Sequence, residues 1–247
     1  MKRFIVSLLV LGSMLFAGNM QQQSVNKTDK TMQKQMDKKG KKHKKMFQSV
    51  SRKKATILQS GKAKMFCPEC GMTLHMFYKT NHAATINGKV KQFCSLHCLV
   101  EAGLNNDREL KNIQVVDVKS LKFIPVSKAT YVVGSSKKGT MSMKSKYAFA
   151  KKKDAKEFAK KFGGKVVDFK KAYKIANNAF LKESKMIAQK QAKMAKKGEM
   201  MYNKMCKKTN LKFSSTAEAK AYLKSSEICG NIKGKKLQAI GIYLGRR

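Results

Sequence analysis

The sequence predicts an α+β protein: two ββαβ units in tandem, the first treble-clef-like, followed by a small all-helical C-terminal region. Three observations predict it. In "HAATINGKVKQF", Asn87-Gly88 separates two short β-prone runs, a strong hairpin signal. In "KKDAKEFAKKFGG", Ala155, Phe158, Ala159 and Phe162 form one apolar stripe, and Gly163-Gly164 supply a helix stop. Finally, "LNNDRELKNIQVVDV" and "FAKKFGGKVVDF" end alike, each a helix turning into a V-V-D strand. Neither unit shows the βαβ alternation of a doubly wound sheet.

From the N-terminus, "MKRFIVSLLVLGSMLFAG" has a basic start (Lys2, Arg3) and a short apolar run from Phe4 to Phe16. Residues 1–18 therefore read as a secretory signal peptide, with an uncleaved anchor as the alternative, and the expected location is periplasmic. Residues 19–62 are rich in lysine and glutamine and lack periodicity, which predicts a flexible arm. Its lysines also suit an anionic membrane or cell-wall surface.

Residues 63–118 form the first unit. "CSLHCLVEAGL" begins its helix, and "IQVVDV" is its closing strand. Residues 119–180 form the second unit. There "ATYVVGS" is a strand, "TMSMKSKYAFA" a second strand with a bend, then a helix and "KVVDF". Residues 181–247 contain three helical patterns rich in alanine and lysine.

Charge excludes less than it suggests. Lysine and arginine exceed acidic residues by 41, which first points to nucleic acid. Arginine, suited to bidentate phosphate and guanine contacts, occurs five times, and the leader directs the chain away from the nucleoid. No nucleic-acid partner is expected. No enzyme is expected either. The sequence shows no Ser-His-Asp set, paired catalytic carboxylates or phosphate-binding glycine loop, and it has 14 acidic residues.

The chemistry lies in "MFCPECGMTLHMF" and "KQFCSLHCLVEAG". Cys67 and Cys70 have the spacing of a metal knuckle, where a tight turn points both thiolates to one side. Cys94 and Cys98 are four apart at a helix start, so their sulfurs share a face where amide dipoles favour the thiolate. Three uses stay open: a four-thiolate metal site, two disulfides, or a redox pair. If metal is bound, zinc closed by four cysteines would be structural, whereas 16 methionines favour Cu(I), the ion that thioether and thiolate select. Met72 and Met76 flank the knuckle. Met141 and Met143, two apart on an expected strand, would face one side together. His75 lies nearer the knuckle in sequence than His82 or His43. His97 would point to another, exposed helix face. Cys206 and Cys229, the remaining cysteines, are the disulfide candidate in an oxidising compartment.

Together, "CPECGM", the hairpin, "IPVSKATYVVG" and "MSMKSKYAFA" resemble the NosL family, copper-trafficking accessory proteins of bacterial nitrous oxide reductase, over roughly residues 65–175. "FCSLHC" resembles the cysteine pair of TRASH-type metal-trafficking domains. The tail, with "GEMMYNKMCKKTN" and "LQAIGIYL", resembles a c-type cytochrome that has lost its haem motif. The NosL resemblance implies two ββαβ halves, export, Cu(I) binding and donation to an apo-cuproenzyme with help from a membrane copper-maturation transporter. It carries the family's motif onto Cys67, Cys70, Gly71 and Met72, and its second-half methionine onto Met141 or Met143. The anchoring cysteine of family lipoproteins has no counterpart here. Nor are the Cys94/Cys98 pair and the tail part of the usual pattern. The expectation is a periplasmic Cu(I) metallochaperone, nitrous oxide reductase its client, with a partly open site. The alternative is a zinc-stabilised exported interaction module.

Overall fold

Asn87 and Gly88 both take positive φ, 48° and 73°, the backbone that a two-residue hairpin turn requires. That turn sets the register of the first strand pair, from Ile86 opposite Lys89 to His82 opposite Phe93. The structure is a computed structural model describing residues 46–104 and 109–247. The expected signal peptide, residues 19–45 of the expected arm and His43 lie outside the described residues.

The first group comprises β1 (His82–Ile86), β2 (Lys89–Phe93), α1 (Leu96–Leu104), β3 (Lys111–Val116) and β4 (Phe123–Pro125). All its pairings are antiparallel, in the order β2-β1-β3-β4. Next come β5 (Thr130–Val133), β6 (Lys146–Phe149), α2 (Lys152–Phe162) and β7 (Lys165–Val167), an antiparallel sheet ordered β6-β5-β7. In both sheets the first strand lies between the next two, and one helix joins the flanking strands. Asp117 ties the sheets together: its carboxylate accepts from the amides of Lys119, Ser120 and Ala150.

α3 (Phe169–Met205) then runs for 37 residues, capped by Asp168, whose carboxylate accepts from the Lys171 amide. Residue 181, expected to begin the tail, lies inside it. Alanine, lysine, methionine and glutamine dominate this stretch and no proline interrupts it, so nothing ends the helix there. α4 (Thr216–Ser226) is capped by Ser215, and α5 (Gly234–Leu244) follows. A Cys206–Cys229 disulfide joins the end of α3 to the α4–α5 loop.

Two local expectations need correction. Residues 46–62, assigned to the arm, are packed. Phe47 lies 5.3 Å from the Tyr147 ring and 5.8 Å from Phe158, and the buried Gln59 amide donates to the Phe66 carbonyl. Few apolar residues suffice because rings and amides supply the contacts. Residues 140–144 are bends rather than strand, residue 145 is irregular, and Met141 takes a left-handed φ of 53°. The alternation that would place Met141 and Met143 on one side therefore does not operate.

One large core unites both sheets with α1 and the start of α3, including Leu74, Phe93, Leu99, Tyr131 and Ala172. A second core belongs to the C-terminal helices, with Tyr202, Leu223, Ile240 and Leu244, and it incorporates Phe66. The segment after Phe66 is thus the seam between the two.

His82 is buried in the first core between the Thr80 carbonyl (3.1 Å) and the Tyr131 hydroxyl (3.0 Å). Burial lowers its pKa to about 4. The unfolded chain, with histidine near 6.5, binds the extra proton first as pH falls. Stability carried by neutral His82 is therefore complete above pH 6.5 and lost on descent to about pH 4, by roughly 3 kcal/mol. Thermal denaturation of chelator-treated, reduced protein between pH 7.5 and 4.5 should show this loss. His82→Gln should flatten it; an unchanged slope would refute the assignment.

Candidate metal centre

The knuckle is built by short-range hydrogen bonds. Phe66 and Thr73 form a bridge, the Cys67 amide donates to the Met72 carbonyl, and the Gly71 amide donates to the Cys67 carbonyl, both at 2.8 Å. Gly71 turns the chain with φ 69°, a conformation that costs a Cβ-bearing residue energy. A Cβ there would also collide with Thr216 of α4. At the other pair, Ser95 caps α1 by accepting from the Cys98 amide. That cap orients the first turn so that Cys94 and Cys98 point the same way.

These two pieces bring Cys67, Cys70, Cys94 and Cys98 together, their sulfurs all within 4.8 Å of one another. Cys70 lies 3.5 Å from Cys94 and 3.7 Å from Cys98, and Cys94 lies 3.7 Å from Cys98. A tetrahedral ion with sulfur bonds of ~2.3 Å has sulfur–sulfur edges of roughly 3.8 Å. Four thiolates at this spacing fit a soft ion. Residues 67, 94 and 98 are 0% exposed and Cys70 is 3% exposed, so the site is closed, not partly open as expected.

Crowding decides the protonation. Burial pushes the Cys67 thiol up, but hydrogen bonds from Cys70, Cys94 and Cys98 outweigh it and hold it well below the ordinary thiol value. Donation to Cys67 raises Cys70. Burial, then donation to Cys67 and Cys70, raises Cys94; Cys98 is raised first by donation to Cys67. Negative charge therefore settles first on Cys67, towards which the other three thiols donate.

The C-terminal helices reach this site from two sides. From α4, Lys220, 1% exposed, donates through Nζ to the Gly71 carbonyl (2.5 Å) and to Oε1 of Gln238 (2.6 Å). Gln238 of α5 in turn donates to the Cys70 carbonyl. Burial lowers the Lys220 ammonium to about 7, opposed by Cys70, Cys67 and Cys94. On the other side, Glu183 of α3 is buried with Oε2 3.5 Å from Nδ1 of His97, and Oε1 accepts from the Met143 amide. Burial raises this carboxyl, yet His97, Lys146 and the Met143 amide together hold it below its usual value.

His97, expected on an exposed face, is 2% exposed and stacks on Phe180. α3 covers the face that sequence alone leaves open. His75 hydrogen-bonds the Val50 carbonyl, and His82 lies in the core, so neither joins the cluster. Met72 and Met141 are half-buried against the core that holds the cysteines, whereas Met143 is 64% exposed. Lys220, Gln238 and Glu183 had no local signal, being reached only through helices distant in sequence.

Residues 59–175 match the family model described as NosL. Among solved structures, the copper chaperone NosL from Shewanella denitrificans is similar at 27% identity and a TM-score of 0.36, covering 47% of this chain and 91% of that one. No curated protein matches.

Because Cys70, Cys94 and Cys98 are raised and a metal needs thiolates, one soft ion binding near pH 7 should release protons, Cys67 contributing least. Calorimetry in buffers of different ionisation enthalpy counts them. Cys70→Ser should lower the number by about one; release of none would contradict the protonation pattern.

Proposed function

We propose, from the match of residues 59–175 to the NosL family model, that the chain is a Cu(I)-binding metallochaperone rather than an enzyme. The observation that carries this is the convergence of Cys67, Cys70, Cys94 and Cys98. Thiolates select Cu(I), and thioethers beside them extend the soft surface outward. Met72 and Met141, packed against the core that holds the cysteines, are the proposed soft partners, with the exposed Met143 as a third. Delivery goes to an apo-cuproenzyme, nitrous oxide reductase being the proposed client, with a membrane copper-maturation transporter as second partner. The proposed location is periplasmic. Among the described residues no helix is long and apolar enough to cross a membrane; attachment to an anionic membrane or wall would rest on lysine charge.

Burial dictates how transfer must proceed. A client cannot reach sulfurs that are fully covered, so a covering element moves before ligands exchange. The bend segment 140–145 is suited to this role. It holds Met141 and Met143 and is fastened by the Glu183 carboxylate and the Thr140–Thr80 hydroxyl contact at 2.8 Å. Thr80 also bonds the Cys94 carbonyl, so this segment is coupled to the cysteine pair.

The same closure favours a second reading, structural zinc. A closed four-sulfur site matches scaffolding zinc, whose binding energy is folding energy. In that case the chain is a zinc-stabilised exported interaction module.

Anaerobic Cu(I) titration against a chromophoric chelator, with metal content and free thiols counted on the same sample, separates them. The chaperone reading expects one tight Cu(I), weakened at least tenfold by Cys67→Ser with Cys70→Ser, and transfer to apo-nitrous oxide reductase. Zinc that Cu(I) cannot displace, with unfolding on its removal, would overturn it.

A further inference from the structure

We propose that Lys220 is the built-in counter-charge of the cysteine cluster, and that the helices after residue 175 complete the metal site instead of merely following it. The proposal rests on the cluster binding metal, as above. Residues 176–247 fall outside the family match, yet they bear on the knuckle itself. The Lys220 ammonium sits on the Gly71 carbonyl, 3.3 Å from the Thr73 hydroxyl and 4.3 Å from the Phe66 ring centroid. Gln238 fixes it from one side and holds the Cys70 carbonyl with its own amide.

Charge explains why a lysine should be buried here. Four thiolates around Cu(I) carry a net charge of −3, and around Zn²⁺ a net charge of −2. Such a charge in a dry core is costly unless a cation faces it. The other ionisable groups near the sulfurs give no net positive charge. Glu183 is paired with His97, and Glu101, on α1, is a carboxyl that burial raises first and Cys67 further. Lys220 is the cation that remains. Its stem is packed as well: a Cβ at Gly241 of α5 would collide with it. Its Nζ contacts the Gly71 carbonyl, the Thr73 hydroxyl and Oε1 of Gln238, all on the knuckle side, and Cys70 and Cys67 favour its charge.

Lys220 is thus a positioning residue, and a counter-charge differs measurably from packing. The test is competition titration of the full chain with Cu(I) and, separately, with Zn²⁺, for wild type, Lys220→Met, Lys220→Gln and Lys220→Arg. Lys224→Met serves as control, because Lys224 is exposed. Neutral variants should weaken Cu(I) by about tenfold or more and Zn²⁺ by less, since the Cu(I) cluster carries more charge. Lys220→Arg should restore most of the affinity, and Lys224→Met should change nothing. The loss should persist at high salt, because a buried pair is screened little. Lys220→Gln keeps a donor for Gly71 and carries the test if Lys220→Met does not fold. A folded neutral variant with wild-type Cu(I) affinity overturns the proposal, as does an arginine variant as weak as the methionine one or an equal loss for both ions. Wild-type protein that binds neither ion through its cysteines would instead refute the metal site itself.

Discussion

Everything around the knuckle depends on one constraint: four cysteine sulfurs within 4.8 Å must share a space that water does not enter. Without an ion, negative charge settles first on Cys67 and the other thiols donate to it; an ion there would need all four as thiolates. Both states need polar support from the backbone. The Cys67–Met72 and Gly71–Cys67 bonds hold one pair, and Ser95 holds the other. The hairpin at Asn87-Gly88 spans the distance between them, and its register places Phe93, immediately before Cys94, opposite His82. A slip of one residue would turn Phe93 out of the core and misplace the second pair.

The site also joins two cores that would otherwise be separate. Phe66 belongs to the C-terminal core, and Cys67, its neighbour, to the core of the sheets. An ion held at this seam would therefore stabilise both at once, by linkage to whatever unfolds them together. The Cys206–Cys229 disulfide closes the far end of the same helical group. The disulfide holds the tail while the four clustered cysteines remain free thiols beneath it.

Much of this was legible in sequence where chemistry and spacing are local. The mixed α and β class, the Asn-Gly hairpin, the α2 stripe and the helical tail all leave short-range patterns. So did the two cysteine pairs, since C-x-x-C and C-x-x-x-C each orient sulfurs within one turn. What sequence hid is what distant segments add. His97 occupies a helix face that looks free until α3 lays Phe180 and Glu183 against it. Lys220 looks like any of the fifty lysines, because its burial is decided by Gly71, 149 residues away. The segment 140–145 reads as strand because its side chains alternate, but the left-handed backbone at Met141 breaks that alternation. Residues 46–62 read as arm because they lack periodicity, and irregular chain can still pack when rings and buried amides meet partners.

The large surplus of lysine gives the buried charges their meaning. Lys111 pairs with Glu109 where both are exposed, and a pair of that kind contributes little to folding. Two lysines, Lys146 and Lys220, depart from that pattern by being buried. Lys220 faces the knuckle, and the buried Lys146 is within 3.2 Å of Ser142 and of the Lys144 carbonyl, on the bend segment that carries the methionines. Coulombic attraction to Glu183 supports the Lys146 charge, although burial lowers it. Of the two, Lys220 bears on the cysteine cluster, through the Gly71 carbonyl and Gln238, while Lys146 bears on Glu183 and the bend segment. Moving the tail away would carry the Lys220 charge from the sulfurs, a cost that grows with the negative charge on the cluster. On the proposed metal-binding reading, a loaded cluster would thus be held shut by the tail more firmly than an empty one.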